Sequence, residues 1–268
     1  MDAAPLGPAD ALYVPAEAVA DDPALGWVRG TVEVVDACYA ARLRPAELAP
    51  EALRTVHVDH FRAQAFAGGF AQYVYNSRWA PLAVGVLRRG LRAIGASETA
   101  ALFDEGVRLI ARLGSERLEA FLASRVFGPN PERDALSALD RRLQLALERE
   151  DLRALNVGAV RSCERLRVEP GEVIEARLQR WHAALPDLAA RETEAAASTP
   201  RYRRVAAEAC AAAGIALRSV IAGDPTHLHA GAFRMGWHLE TDRGTCVLVE
   251  LGERVELIGP AGETLVRV

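Results

Sequence analysis

The side chains best suited to chemistry gather in one short stretch near the C-terminus. Gly223-Asp224-Pro225-Thr226-His227-Leu228-His229-Ala230-Gly231 carries two imidazoles and a carboxylate, and His238 follows closely. Imidazole and carboxylate are ligands of a zinc-type ion. Alternation along a strand would put His227 and His229 on one face. The Pro and Gly punctuation instead marks Gly223–Gly231 as a loop, and no fourth ligand is placed by spacing. A metal-dependent enzyme using His227 and His229, with Asp224, is therefore the alternative reading. No metal ligand, cofactor or catalytic residue is assigned. His57 and His60, three apart with Asp59 on a different helical face, read as structural. The chain has no serine-nucleophile elbow, Walker loop or dinucleotide-binding glycine motif. Cys38, Cys163, Cys210 and Cys246 are far apart and form no Cys-x-x-Cys pair, so they read as buried, reduced thiols.

A second group of residues could bind rather than catalyse. Gly68-Gly69 lies between two helical patterns and should break or sharply bend the chain, because glycine tolerates positive φ. Gln72 and Asn76 then share one helical face. Their amides donate and accept at once, which suits either tying off backbone groups or meeting a partner. Gly68, Gly69, Phe70, Gln72, Tyr73 and Asn76 form the candidate binding surface, with Phe70, Tyr73 and Tyr75 most simply supplying core.

The elements that must position these groups follow from periodicity. Pro5, Pro8, Pro15 and Pro23 make residues 1–25 an irregular Pro-rich arm. Helical spacing begins near Gly26, resumes at Pro50 and runs to Phe66. Past the Gly pair, Pro81 opens a helix with Leu82, Val86, Leu87 and Leu91, which Gly95 ends. Ser97 is placed to cap the next helix. Asn130-Pro131 starts another, carrying Leu136, Leu139 and Leu143, and Pro170 opens one with Ile174, Leu178 and Trp181. Residues 26–185 thus read as a helical domain and residues 186–199 as an Ala-rich connector. Residues 200–268 read as a small α+β domain: a helix from Pro200 to Gly214, then short strands separated by Asp242-Arg243-Gly244, Gly252-Glu253 and Gly259-Pro260-Ala261-Gly262. The expected fold class is α+β, a mainly α-helical N-terminal domain followed by a small helix-plus-antiparallel-meander C-terminal domain.

Composition bounds the function. The 268 residues are 50% hydrophobic and 25% charged, enough for a substantial core. All 32 basic residues are Arg, as GC-rich coding favours. The net charge is −4. Residues 1–50 hold eight acids and three Arg, whereas residues 51–150 hold twelve acids and fourteen Arg. Neither balance steers the chain toward nucleic acid or membrane. Arg88, Arg89 and Arg92, Arg141-Arg142, and Arg201-Arg203-Arg204 keep a nucleic-acid binder as a further alternative. Met1-Asp2-Ala3-Ala4-Pro5 lacks the basic start and apolar run of a signal peptide, and no segment is apolar enough to span a bilayer. The expectation is a cytoplasmic protein with no membrane partner.

The run Thr55-Val56-His57-Val58-Asp59-His60-Phe61, then Gly68-Gly69-Phe70, Gln72-Tyr73 and Tyr75-Asn76-Ser77, resembles the bacterial DNA-mimic-protein family. Leu91-Arg92-Ala93-Ile94-Gly95-Ala96 and Ala100-Ala101-Leu102 continue the match, which covers roughly residues 50–151. The resemblance implies a helical, often dimeric scaffold that binds protein. One characterised type presents carboxylates spaced like DNA phosphates to a transcription factor. Phe66-Ala67 stands here where polar residues are usual, and Ala71 where an acid is common. The motif-bearing region carries +2, which argues against mimicry itself. The leading expectation is a non-enzymatic module that binds a protein of unknown identity, as a regulator or an immunity-like inhibitor, with a homodimer open.

Overall fold

Pro81, Pro131 and Pro200 each stand at or beside a helix start, where a missing N–H costs nothing. The computed structural model describes residues 7–124, 129–252 and 254–268. It divides into two compact units, Met1–Leu188 and Ala189–Val268.

The first unit opens with β1 (Leu12–Pro15) and α1 (Ala16–Asp21), followed by α2 (Gly26–Ala40) and a 3-10 turn at Pro45–Glu47. Then come α3 (Pro50–Asn76), α4 (Pro81–Ala93), α5 (Ser97–Leu113), α6 (Ser115–Ala123), α7 (Pro131–Leu136), α8 (Asp140–Arg149) and α9 (Leu152–Arg161). β2 (Leu166–Glu169) and α10 (Gly171–Ala183) close it. α3 is the central helix, in contact with α2, α4, α8 and α9. One apolar cluster joins Phe61, Phe70, Tyr73, Leu87, Leu91 and Phe103 with Leu136, Leu139 and Leu143. A second joins Leu12 and Val14 with Val35, Leu53 and Ile174.

Three expectations change here. The stretch expected as an irregular arm contains β1 and α1, and Leu12 and Val14 are fully buried. β1 pairs in parallel with β2, Leu12 opposite Leu166. Pro15 ends this strand at φ −63, which extended backbone accommodates, so proline did not exclude order. Ser97 does not cap α5. The amides of Glu98 and Thr99 donate instead to the Glu150 carboxylate, each at 2.8 Å. In the second unit, the stretch Gly223–Gly231 expected as a loop is mostly strand, and its turn sits at Ala230 and Gly231, both at positive φ.

That second unit holds α11 (Leu188–Ser198), which makes most of the Ala-rich connector helical, and α12 (Arg201–Ala212). β3 (Leu217–His229), β4 (Ala232–Thr241), β5 (Gly244–Leu251), β6 (Arg254–Ile258) and β7 (Thr264–Arg267) form an antiparallel meander in chain order. Ala206, Ala209 and Cys210 of α12 pack on Leu239, Cys246, Leu248 and Leu257. The molecule is α+β. No described helix is long and apolar enough to cross a membrane.

Candidate functional site

α3 is interrupted at the Gly pair. Gly68 has φ −166 and ψ 24, and Gly69 has φ 76 and ψ −167. The second piece of helix therefore begins afresh, with amide donors lacking partners in the preceding turn. Asp140 supplies one: its Oδ1 accepts from the Phe70 amide at 2.8 Å. Gly69 is needed twice over. Its φ disfavours any side chain, and a Cβ there would stand 2.3 Å from the Asp140 carboxylate. Burial pushes the Asp140 carboxyl above its ordinary value, and the opposing hydrogen bonds from Phe70 and Ser137 do not cancel that effect.

The signature residues then separate by burial. Phe70 and Tyr73 are core, at 1% and 0% exposure. The Phe70 ring lies on Gly106, where a Cβ would come within 2.3 Å of it. Tyr73 meets Phe61 edge-on at 5.0 Å, and Phe103 and Trp79 complete the aromatic group. The Tyr73 hydroxyl is buried, and burial pushes its ionisation well above the usual tyrosine range, with Ser77 working weakly the other way. Gln72 and Asn76 both donate to Gln64 Oε1, at 3.1 and 2.5 Å, a clasp across the kink. Gly68 and Asn76 are exposed; Gly69 and Gln72 are half-buried. Of the six expected binding residues, Phe70 and Tyr73 are thus core, and Gly68, Gly69, Gln72 and Asn76 keep full or partial exposure, beside exposed Phe66, over which the Arg62 guanidinium lies at 5.1 Å.

Burial shifts several titratable groups in each of the two units. Burial lowers both His57 and His60, with their mutual repulsion adding to the effect at His57, so neutral imidazole is favoured. Burial pushes the Cys38 thiol up to about 12 and raises Cys210 as well, which opposes thiolate chemistry. In the second unit, His227 and His229 do not converge on one site. His229 Nε2 lies 3.3 Å from Glu256 Oε2, whereas His227 groups with Asp224 and His238.

The carboxylates of the helical unit are largely spoken for. Asp104 holds Arg88 and Arg92, Glu98 holds Arg149, Glu105 holds Arg142, Glu132 holds Arg117, and Glu51 holds Arg165. Asp140, Glu150 and Asp151 cap helices. The same pairs occupy part of each helical Arg cluster, and Arg201 is engaged by Glu250.

An apolar groove of about 430 Å³ lies between the Pro45–Glu47 turn, α3 and α4. Leu48, Leu53, Leu82 and Val86 line it, with Glu51, Arg54 and Arg89 among its polar residues. Leu82 is 48% exposed. Arg54 Nη2 donates to the Ala159 carbonyl at 3.2 Å, and this residue also borders a more polar cleft with Ser162, Glu164 and Arg165. Arg89, between the two arginines held by Asp104, forms no ion pair among the described residues. Local sequence did not mark Arg54 as a binding residue, and it marked Arg89 only within the Arg88, Arg89 and Arg92 cluster of the nucleic-acid alternative; helix packing brings both to the groove.

Residues 46–162 match the family model of DMP19-like protein, the DNA-mimic family. Comparison with curated proteins and with solved structures gives no match.

Proposed function

We propose that the family-matched helical region is a non-enzymatic module that binds a partner protein, as a regulator or an immunity-like inhibitor, through the groove between α3 and α4. The observation that carries this reading is the groove itself: an open apolar recess inside the family-matched region, with two guanidinium groups among its lining residues. An apolar side chain of the partner would fill it, and a neighbouring carboxylate would meet Arg89. Anchors of this kind supply most of the energy of a protein interface. The state of the carboxylates supports the same choice. A phosphate-like array needs negative charges free to meet a partner's cations, and here most of them are matched by arginines or hold helix ends.

The test is affinity capture from the source cell with the full chain and with Leu82→Asp. The wild type should recover a defined partner in stoichiometric amount. The variant should recover about tenfold less or worse, the scale of losing one interface anchor, while keeping its far-UV spectrum. Equal recovery by both, or no stoichiometric partner, contradicts the proposal.

A further inference from the structure

In a regular strand, residues three apart point to opposite faces, so Asp224 and His227 should not share a site. The register of β3 against β4 removes that obstacle. Asp224 stands opposite Gly236 and His227 opposite Arg234, so three steps on β3 are matched by two on β4, with the register shift between Asp224 and His227. The extra residue is a bulge, which re-aims side chains. It falls between Asp224 and His227, on a strand at the edge of the sheet, where bulges are common. As a result Asp224, His227 and His238 all lie on one face of the hairpin.

It is the face turned away from α12. Trp237 and Leu239, which alternate with His238, belong to the α12 cluster, and Trp237 stacks on Tyr202 at 4.1 Å. Between the two histidines stands Gly236. A Cβ there would come within 2.8 Å of His227 Cβ and Cγ, so the imidazole occupies space that only glycine leaves open. The His227 and His238 rings stand edge to face, their centroids 6.2 Å apart. Asp224 is oriented by Thr226, whose amide and hydroxyl both donate to Oδ1, at 2.8 and 2.7 Å, which leaves Oδ2 for a further contact. One donor atom from each of the three residues lies within 4.8 Å of the others. Donors around a zinc ion are at most about 4 Å apart, since each bond is about 2.0–2.2 Å. Modest side-chain rotation closes that gap. Arg234 shares the face but is exposed.

We propose that Asp224, His227 and His238 bind one divalent transition-metal ion of the zinc type. Two imidazoles and a carboxylate are a recurrent three-ligand set for such ions, and three protein ligands leave a position for water or an outside ligand. His229 is not a ligand, because it is drawn to Glu256. Thr226 is a positioning residue that fixes the carboxylate.

The experiment titrates metal-free full-length protein with zinc chloride by calorimetry, with cobalt(II) absorption reporting the ligand geometry. The wild type should take up one ion per chain. His227→Ala, His238→Ala and the same-sized Asp224→Asn should each weaken binding by more than tenfold. Thr226→Ala should weaken it about tenfold, as loss of an outer partner does, and His229→Ala should bind like the wild type. Far-UV spectra identify any variant that misfolds, and Asp224→Asn, which preserves volume, then decides. No uptake by the wild type, undiminished uptake by Asp224→Asn, or loss on His229→Ala alone overturns the site.

Discussion

Asp140 has two opposed effects at the α3 kink. Its carboxylate satisfies the Phe70 amide, yet burial disfavours the charge that makes it a strong acceptor. Replacing it separates the two. Asp140→Ala leaves a part-buried N–H without an acceptor and should cost about 1–3 kcal/mol. Asp140→Asn keeps an acceptor oxygen and should cost much less. The pH dependence has a definite sign. The folded carboxyl holds its proton more tightly than the ordinary value of 3.8, so the folded state binds more protons in the window above that value. Stability from this group is full below the window and falls as pH rises through it. The asparagine variant lacks that loss and should gain on the wild type across the same window. Urea unfolding at a series of pH values measures both, and an asparagine variant as damaged as the alanine one would refute the account. Gly69 was legible in the sequence because a Gly pair between helical patterns has few other uses. Asp140 was not, because it reaches the kink from 70 residues away and nothing beside it marks a cap.

At the level of elements, caps show where local reading stops. Ser97 has the right chemistry and position to cap α5, but the acceptor that prevails is Glu150, which follows α8. Burial works against ionisation of Glu150; hydrogen bonds from the Thr99 and Glu98 amides outweigh it, with help from the Thr99 and Ser97 hydroxyls, and its carboxyl sits below the ordinary 4.5. Its contribution is therefore complete above that value and lost as pH falls through the lowered one. Glu150→Ala should destabilise the protein by about 0.5–2 kcal/mol, the worth of an N-cap, and Ser97→Ala by a few tenths. Thermal unfolding at neutral pH compares them, and the reverse ranking would return the cap to Ser97. Helices opened by Pro50, Pro81 and Pro131 could be read in advance because the signal is local. The β1–β2 pair could not, because each strand has four residues and its partner lies about 150 residues away. Asp224-Pro225 looked like loop punctuation, and in the structure it marks a bulge on an edge strand.

Across the whole molecule, the change of texture after Gly214 announced the sheet, and the charge count anticipated how the acids are used. A region with more arginines than carboxylates can pair many of its acids internally, and this one does so at Glu98, Asp104 and Glu105. The sequence could not reveal the α3–α4 groove, because Leu48, Leu53, Leu82 and Arg89 come together only when the helices pack. The central claim is that this groove, rather than a charged face, meets the partner. Two exposed leucines separate those possibilities. Leu82 lines the groove and is 48% exposed; Leu145, 43% exposed, lies among Glu98, Glu105, Arg142 and Arg149. The most direct measurement places a photo-crosslinking residue at one or the other position in the full chain inside the source cell. The account predicts a discrete crosslinked partner from position 82 and none from position 145. Crosslinking from position 145 with none from position 82 would contradict it and return the charged surface to the centre.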